Sequence, residues 1–206
     1  FLKKQSYSME GEDLVILQNF NDIKNGTYVD VGCYHPIHLN NTFLLHQKGW
    51  RGINIDVSEY SIDLFNFLRP SDTNIATAIS KEDGVVTLYY QKKISQLTTT
   101  KKEISLKRMQ GNIKEKVVKS CSLTSILRES EYKNRKIDFL NIDIEGSDLE
   151  ALQSLDFHVY RPSIICIEID ENNILNSSIN KYLAELNYEK IWSSKSNISH
   201  IFKSKS

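Results

Sequence analysis

The chain switches repeatedly between a helical and an alternating pattern of apolar positions, and each switch predicts a new element. Glu10–Asn21 carries Leu14 and Leu17 at helical spacing, with Ile16 and Phe20 beside them, and predicts an opening helix. Thr27–Gly32 (TYVDVG) predicts a strand ending in a glycine turn. Thr42–Lys48 predicts a helix that Asn40, Asn41 or Thr42 can cap and that Gly49 ends. A second strand is expected at Gly52–Asp56, and a helix at Glu59–Leu68 stopped by Arg69-Pro70. Asn74–Ser80 predicts a third strand, and Val85–Tyr90 an edge strand after a Glu82-Asp83-Gly84 turn. From Gln91 to Lys116 large apolar residues thin out, and an insertion or flexible loop is expected, with a solvated surface loop and a lid as the two readings.

Regular pattern then resumes. Val117–Cys121 predicts a short strand and Leu123–Glu129 a helix. Ile137–Ile142 reads as a buried strand, and Ser147–Leu155 as a helix with Leu149, Leu152 and Leu155 on one face. Ser147 and Glu150 have the spacing of a capping box. Ser163–Ile169 predicts an apolar strand, Ser178–Leu186 a helix, and Glu189–Trp192 with Asn197–Phe202 an antiparallel closing pair. Strand and helix in alternation imply an α/β fold with a mostly parallel sheet and helices on both faces. No repeat or second domain interrupts it, so one domain over residues 1–206 is expected.

Composition narrows the function. The chain has 206 residues, 26 of them Lys or Arg and 26 Asp or Glu, so its formal net charge is zero. That balance removes the whole-protein argument for nucleic acid or an anionic membrane as partner. Only the stretch Lys101–Lys119, with seven basic residues against two acidic ones, keeps nucleic acid in view. No apolar run approaches the roughly 20 residues that span a bilayer, and Phe1–Lys4 lacks the basic-then-apolar order of a secretory signal. Cys33, Cys121 and Cys166 are far apart and are expected as reduced thiols in a cytoplasmic protein.

Candidate chemistry gathers at strand ends. Asp30-Val31-Gly32, Asp56 and Asp143-Ile144-Glu145-Gly146 each close a predicted strand. In an open parallel sheet, ligands bind beyond the carboxyl ends of the strands. Asp56 lies 24 residues after Gly32, where a carboxylate accepts hydrogen bonds from both ribose hydroxyls of an adenosine ligand. Gly32 allows a tight turn and close approach of backbone to ligand. A single glycine in Asp30–His35 does not make the three-glycine pyrophosphate cradle, which favours a nucleoside without a diphosphate and disfavours NAD and FAD. Asp30 and a nearby acid suit the ammonium and sulfonium of S-adenosylmethionine.

These stretches resemble the FkbM-type methyltransferases, in the branch found in bacterial capsule and glycan clusters. The resemblance runs from Tyr7-Ser8 and Gly11–Leu14 through Tyr28–Pro36, Asn41-Thr42, Gly49–Asp56, Arg69–Asn74 and Ala78–Ser80. It continues in Ile137–Leu152 and Tyr160–Ile169, and departs at Met9-Glu10, where a glutamine is expected near Gly11-Glu12-Asp13. It implies a class I methyltransferase fold, Rossmann-like, with a seven-stranded sheet, S-adenosylmethionine as donor, and O-methylation of a sugar or similar hydroxyl. It also implies Glu12, Asp30, Gly32, Asn41, Thr42, Asp56, Ala78 and Asp143 as cofactor-binding residues. The expected acceptor is a sugar or nucleotide sugar for capsular or cell-surface polysaccharide, with a homodimer as the assembly to test.

A sugar hydroxyl is a poor nucleophile, so a general base is expected: His35, Asp143 or Glu145, with His38 as a further candidate. Asp143 and Glu168 end neighbouring strands and would suit Mg or Mn, although a metal is not the leading expectation. Arg69 and Arg161, each before a proline, read as surface or structural ion-pair residues. The competing classes are a nucleotide-dependent oxidoreductase, a nucleic-acid methyltransferase and a non-catalytic scaffold.

Overall fold

The computed structural model describes residues 6–20, 22–92, 95, 97–169 and 174–205; Phe1–Lys4 and Asn21 lie outside them. Five parallel strands form the centre of the fold: β1 (Thr27–Val31), β2 (Arg51–Asp56), β3 (Thr73–Ala76), β7 (Phe139–Ile142) and β8 (Ile164–Glu168). The hairpin β9 (Tyr188–Ser193) and β10 (Ser199–Ser204) adds the antiparallel end, giving the order β3-β2-β1-β7-β8-β10-β9. Strand order reverses between β1 and β7, which pair directly from Tyr28↔Phe139 to Val31↔Ile142. That switch point opens the crevice in which such sheets bind ligands.

The strands read as continuous apolar runs because both faces are covered. Val29, Val31, Ile53, Ile55, Leu140, Ile142, Ile165 and Ile167 point to one face. There they meet α5 (Leu123–Glu129), α6 (Asp148–Gln153) and α7 (Ser178–Glu185). Tyr28, Phe139, Ile164 and Cys166 point to the other, against α1 (Glu12–Gln18) and α2 (Phe43–Gln47). The side chains of Asp30, Asn54 and Asn141 alternate onto this second face and are buried there. α3 (Glu59–Leu68) has the predicted bounds, and Ser58 caps it by accepting from the Ser61 amide at 3.3 Å.

Three expectations are corrected. The third strand ends at Ala76. Thr77 donates its amide to Asp56 O at 3.0 Å, and Ala78–Ile79 (β4) enters a second, smaller sheet of order β4-β6-β5. The polar stretch after Tyr90 is not all loop: it holds α4 (Lys102–Arg108) and the start of β6 (Lys114–Cys121), which pairs antiparallel with β5 (Gly84–Tyr90). Lys114 and Lys116 share one exposed face of β6, so these residues that read as a loop are compatible with a strand. The Ser147/Glu150 capping box does not form. Ser147 Oγ lies 2.7 Å from Thr100 Oγ1, and Glu150 pairs with Lys101, so both are drawn to the insertion instead.

Candidate active site

A cleft of about 520 Å³ opens over the carboxyl ends of β1, β2, β7 and β8. Its floor begins at Gly32, whose φ of +77° suits glycine. A Cβ there would fall 1.8 Å from Asp143 O, so no side chain fits between the first and fourth parallel strands in chain order. The next turn carries Tyr34, also left-handed at φ 52°, and folds back so that its amide donates to Asp56 Oδ2 at 2.9 Å. Asp56 Oδ1 accepts the Ser58 amide at 2.8 Å. A carboxylate offers about four acceptor sites, so Asp56 keeps capacity beyond its amide partners to accept from a ligand hydroxyl. Burial pushes the Asp56 carboxyl up, against the amide bonds from Ser58, Tyr34 and Val57 that draw it down.

Beyond β7 the chain makes two left-handed steps, Glu145 at φ 52° and Gly146 at φ 90°. Asp148 anchors this turn by accepting the amides of Ile144 and Gly146 at 3.0 and 2.9 Å, while burial pushes its own carboxyl up to about 6. The turn brings carboxylate oxygens of Asp143, Glu145 and Glu168 within 4.8 Å of one another. Asp143 shows its exposed surface to the cleft and has protein packed around its other sides. Burial first, and then the adjacent Glu168 carboxylate to which it is hydrogen-bonded, hold its carboxyl well above the usual range. Glu12, only 2% exposed, closes the acidic side from α1, with one oxygen accepting the Glu10 amide at 2.8 Å.

The insertion forms the opposite wall. Thr99 bridges to Tyr89 and donates its hydroxyl to Glu145 O at 2.8 Å. Arg108, on α4, forms an ion pair with Glu145. Arg108 is the one Lys or Arg lining the cleft among the described residues, facing Glu12, Asp56, Asp143, Glu145 and Glu168. The cleft therefore favours a cationic or neutral occupant over a polyanion.

The expected site residues separate into two sets. Glu12, Gly32, Asn41, Asp56, Ala78, Asp143 and Glu145 line the cleft. Asp30, Thr42 and His35 do not, and their assignment is corrected. Asp30 is buried below the floor, where it accepts from Thr42 Oγ1 at 2.8 Å and Asn141 Nδ2 at 2.9 Å. It sits mid-face on β1, so strand alternation turns it under the sheet. His35 Nδ1 accepts the amides of Ile37 and His38, both at 3.1 Å, and so folds its own turn. Arg69 was read as a surface or ion-pair residue; it is 1% exposed and bonds Thr42 Oγ1 and Asn40 Oδ1 instead. Sequence reasoning missed Arg108, hidden in a polar stretch, and Asn141. The signal for Asn141 was there: it is the one polar residue within Phe139–Ile142.

The parallel five-strand centre, the reversed pair at its end and the acid-lined crevice at the switch point define a class I methyltransferase domain. The pattern of the methyltransferase FkbM domain matches residues 30–190. The chain belongs to that family, whose methyl donor is S-adenosylmethionine. No curated protein sequence matches it significantly. Among solved structures it is similar to a TehB-like SAM-dependent methyltransferase from Corynebacterium glutamicum, with TM-score 0.47 and 10% identity over 96% of this chain and 89% of that one. It is also similar to an O-methyltransferase from Bacillus cereus in complex with SAH, with TM-score 0.46 and 12% identity over 98% and 83%. Family membership rests on the domain match alone.

The residues present fit the donor. Gly32 leaves the backbone approach clear, Asp56 has the two-oxygen geometry for a ribose, and the Glu12, Asp143 and Glu168 carboxylates suit positive charge. The trio Asp143, Glu145 and Glu168 is also close enough to hold a cation together.

Proposed function

We propose that the protein methylates a hydroxyl of a sugar, free or nucleotide-linked, as a precursor of bacterial capsular or cell-surface polysaccharide. The observation that carries the reading is the placement of Glu145. Its carboxylate stands in the cleft beside Asp143, in a lining that also includes Thr98, Thr99, Thr100, Ser196 and Ser199. Short hydroxyls and a carboxylate match a polyol's dense donors and acceptors.

Bound S-adenosylmethionine supplies a methyl group activated on a sulfonium. The chain's own task would be positioning: holding the acceptor hydroxyl within reach of that group. With that donor held by Glu12, Asp56, Asp143 and Glu168, Glu145 would be the group that accepts the proton of the acceptor hydroxyl. Arg108 beside it fixes the place of that carboxylate through their ion pair. Glu12, Asp143 and Glu168 would hold the positive end of the donor.

Calorimetric titration with S-adenosylhomocysteine, with NADH as control, tests the cofactor reading. Micromolar binding of the first alone supports it, and transfer of a labelled methyl group to nucleotide sugars then tests the acceptor. The reading includes a cytoplasmic location and a homodimer, which fractionation and sedimentation would check. Among the described residues no helix is long and apolar enough to cross a membrane.

Affinity for the donor should rise with pH. Burial and the adjacent Glu168 carboxylate raise the Asp143 carboxyl above its ordinary value. A cationic ligand favours the ionised pair, so binding releases protons, and affinity increases as pH climbs toward the raised value. S-adenosylhomocysteine lacks the sulfonium charge and should show a shallower slope. Titrations in buffers of different ionisation enthalpy read the protons directly; equal slopes for the two ligands would remove the pair from the sulfonium site.

A further inference from the structure

Asp30 does not reach the cleft, yet it governs a residue that does. The link is a chain of oriented amides. Asn141 Nδ2 donates to Asp30 Oδ1 at 2.9 Å. This commits the amide nitrogen of Asn141 inward, and its Oδ1 then faces the other way and accepts Asn41 Nδ2 at 2.9 Å. Asn41 Nδ2 also points at Cys166 Sγ, 3.8 Å away. Both hydrogens of the Asn41 amide are thereby directed into the protein. Its Oδ1 makes no hydrogen bond among the described residues and belongs to a side chain that lines the cleft.

The other end of the chain is locked. Arg69 Nη1 donates to Thr42 Oγ1 at 2.9 Å, and Thr42 Oγ1 donates to Asp30 Oδ2 at 2.8 Å. Arg69 Nη2 donates to Asn40 Oδ1 at 2.8 Å, while Asn40 Nδ2 donates to Asp30 Oδ2 at 3.2 Å. A carboxylate offers only acceptors, so Asp30 dictates which end of each amide faces it. Replace that acceptor by a donor, and every amide up to Asn41 would have reason to turn over.

The atom shown to the cleft is therefore a carbonyl oxygen, and its surroundings are acidic. Cys166, against which Asn41 rests, has its thiol pushed up by burial and then by Glu12 and Asp143. An oxygen beside carboxylates asks for a ligand that only donates, which is the chemistry of a primary ammonium. We propose that Asp30, through Asn141, sets the Asn41 carboxamide so that its Oδ1 receives the α-ammonium of the donor's methionine portion. Asp30 and Asn141 are then positioning residues, and Asn41 is the contact.

The inference rests on the cofactor reading above, and the test separates the two. Two ligands are compared by calorimetry: S-adenosylhomocysteine, and 5′-methylthioadenosine, which has the same nucleoside but no amino-acid end. If the wild-type protein binds neither, the cofactor reading itself falls. If it binds both, Asn41→Ala and Asn141→Ala should each weaken S-adenosylhomocysteine about tenfold, the value of one hydrogen bond to a charged group. Neither should move 5′-methylthioadenosine more than about twofold, and the double variant should bind no more weakly than Asn41→Ala alone, because both remove the same contact. A merely structural role would weaken both ligands alike, and that result, or additive losses, would overturn the relay. Should Asn141→Ala not fold, the cleft wall carries the test: Asn41→Asp keeps an oxygen and should hold S-adenosylhomocysteine within about threefold, while Asn41→Leu loses about tenfold. Leucine binding as well as asparagine would sink the proposal.

Discussion

Asp56→Ala should weaken S-adenosylhomocysteine binding by roughly 10²- to 10⁴-fold, since two charge-assisted hydrogen bonds of about 1.5–3 kcal/mol each are lost. The geometry explains why so much rests on one side chain. Asp56 ends β2 one strand away from Gly32, and each of its oxygens is already held by a backbone amide, from Tyr34 and from Ser58. The carboxylate is thus fixed before a ligand arrives, and little is spent on ordering it. The same two bonds tie down the turn after β1 and the start of α3, so the alanine variant should also lose thermal stability. Asp56→Asn separates the effects: it keeps one acceptor and most of the turn, and should fall between wild type and alanine in affinity. Calorimetry reads the binding and a melting curve the folding. Wild-type affinity in Asp56→Ala would place the ribose elsewhere.

Glu145→Gln should lower kcat by roughly 10²- to 10³-fold, the typical worth of general-base assistance. Cofactor affinity should stay within about threefold, because the proton from the acceptor, not the donor, is what Glu145 receives. Glutamine keeps the shape and still accepts a hydrogen bond from Arg108, so the left-handed turn at Glu145–Gly146 and the Thr99 bond to Glu145 O survive. Rate and binding are measured on the same preparation. A rate unchanged within twofold would leave Asp143 as the remaining carboxylate for the role, since His35 spends its Nδ1 on two amides and does not line the cleft.

The charge of the cleft also bears on the acceptor. Five carboxylates face Arg108 across it. A nucleotide-linked sugar would have to keep its diphosphate at the rim and insert only the sugar, whereas a free glycan would meet no such restriction. Steady-state competition by nucleoside diphosphates should therefore be weak.

Much of the fold was legible because it depends on local pattern. The strand runs around Val29, Ile53, Leu140 and Ile165 are apolar because the sheet is covered on both faces, and Gly49 and Arg69-Pro70 mark helix ends by their own conformational preferences. The glycine and acids after β1, β2 and β7 were legible for a related reason. A tight turn beside a ligand demands Gly32, and strand-end placement alone carries Asp56 and Asp143 to one crevice. Those features follow from sequence by itself.

Tertiary structure decided what depends on facing and on distant partners. Asp30 and Asp56 both read as strand-end acids, but Asp30 lies opposite Asn54, so Asp56 stands two residues further along the strands, and that difference in depth puts Asp30 under the floor and Asp56 in the cleft. His35 and Thr42 look equally placed for chemistry, and hydrogen bonds to neighbouring amides and to Asp30 withdraw them. Arg69 reaches Thr42, 27 residues away, and Arg108 meets Glu145 across 37 residues. No local pattern records a partner at such a separation, because the contact exists only once the sheet has brought both ends together.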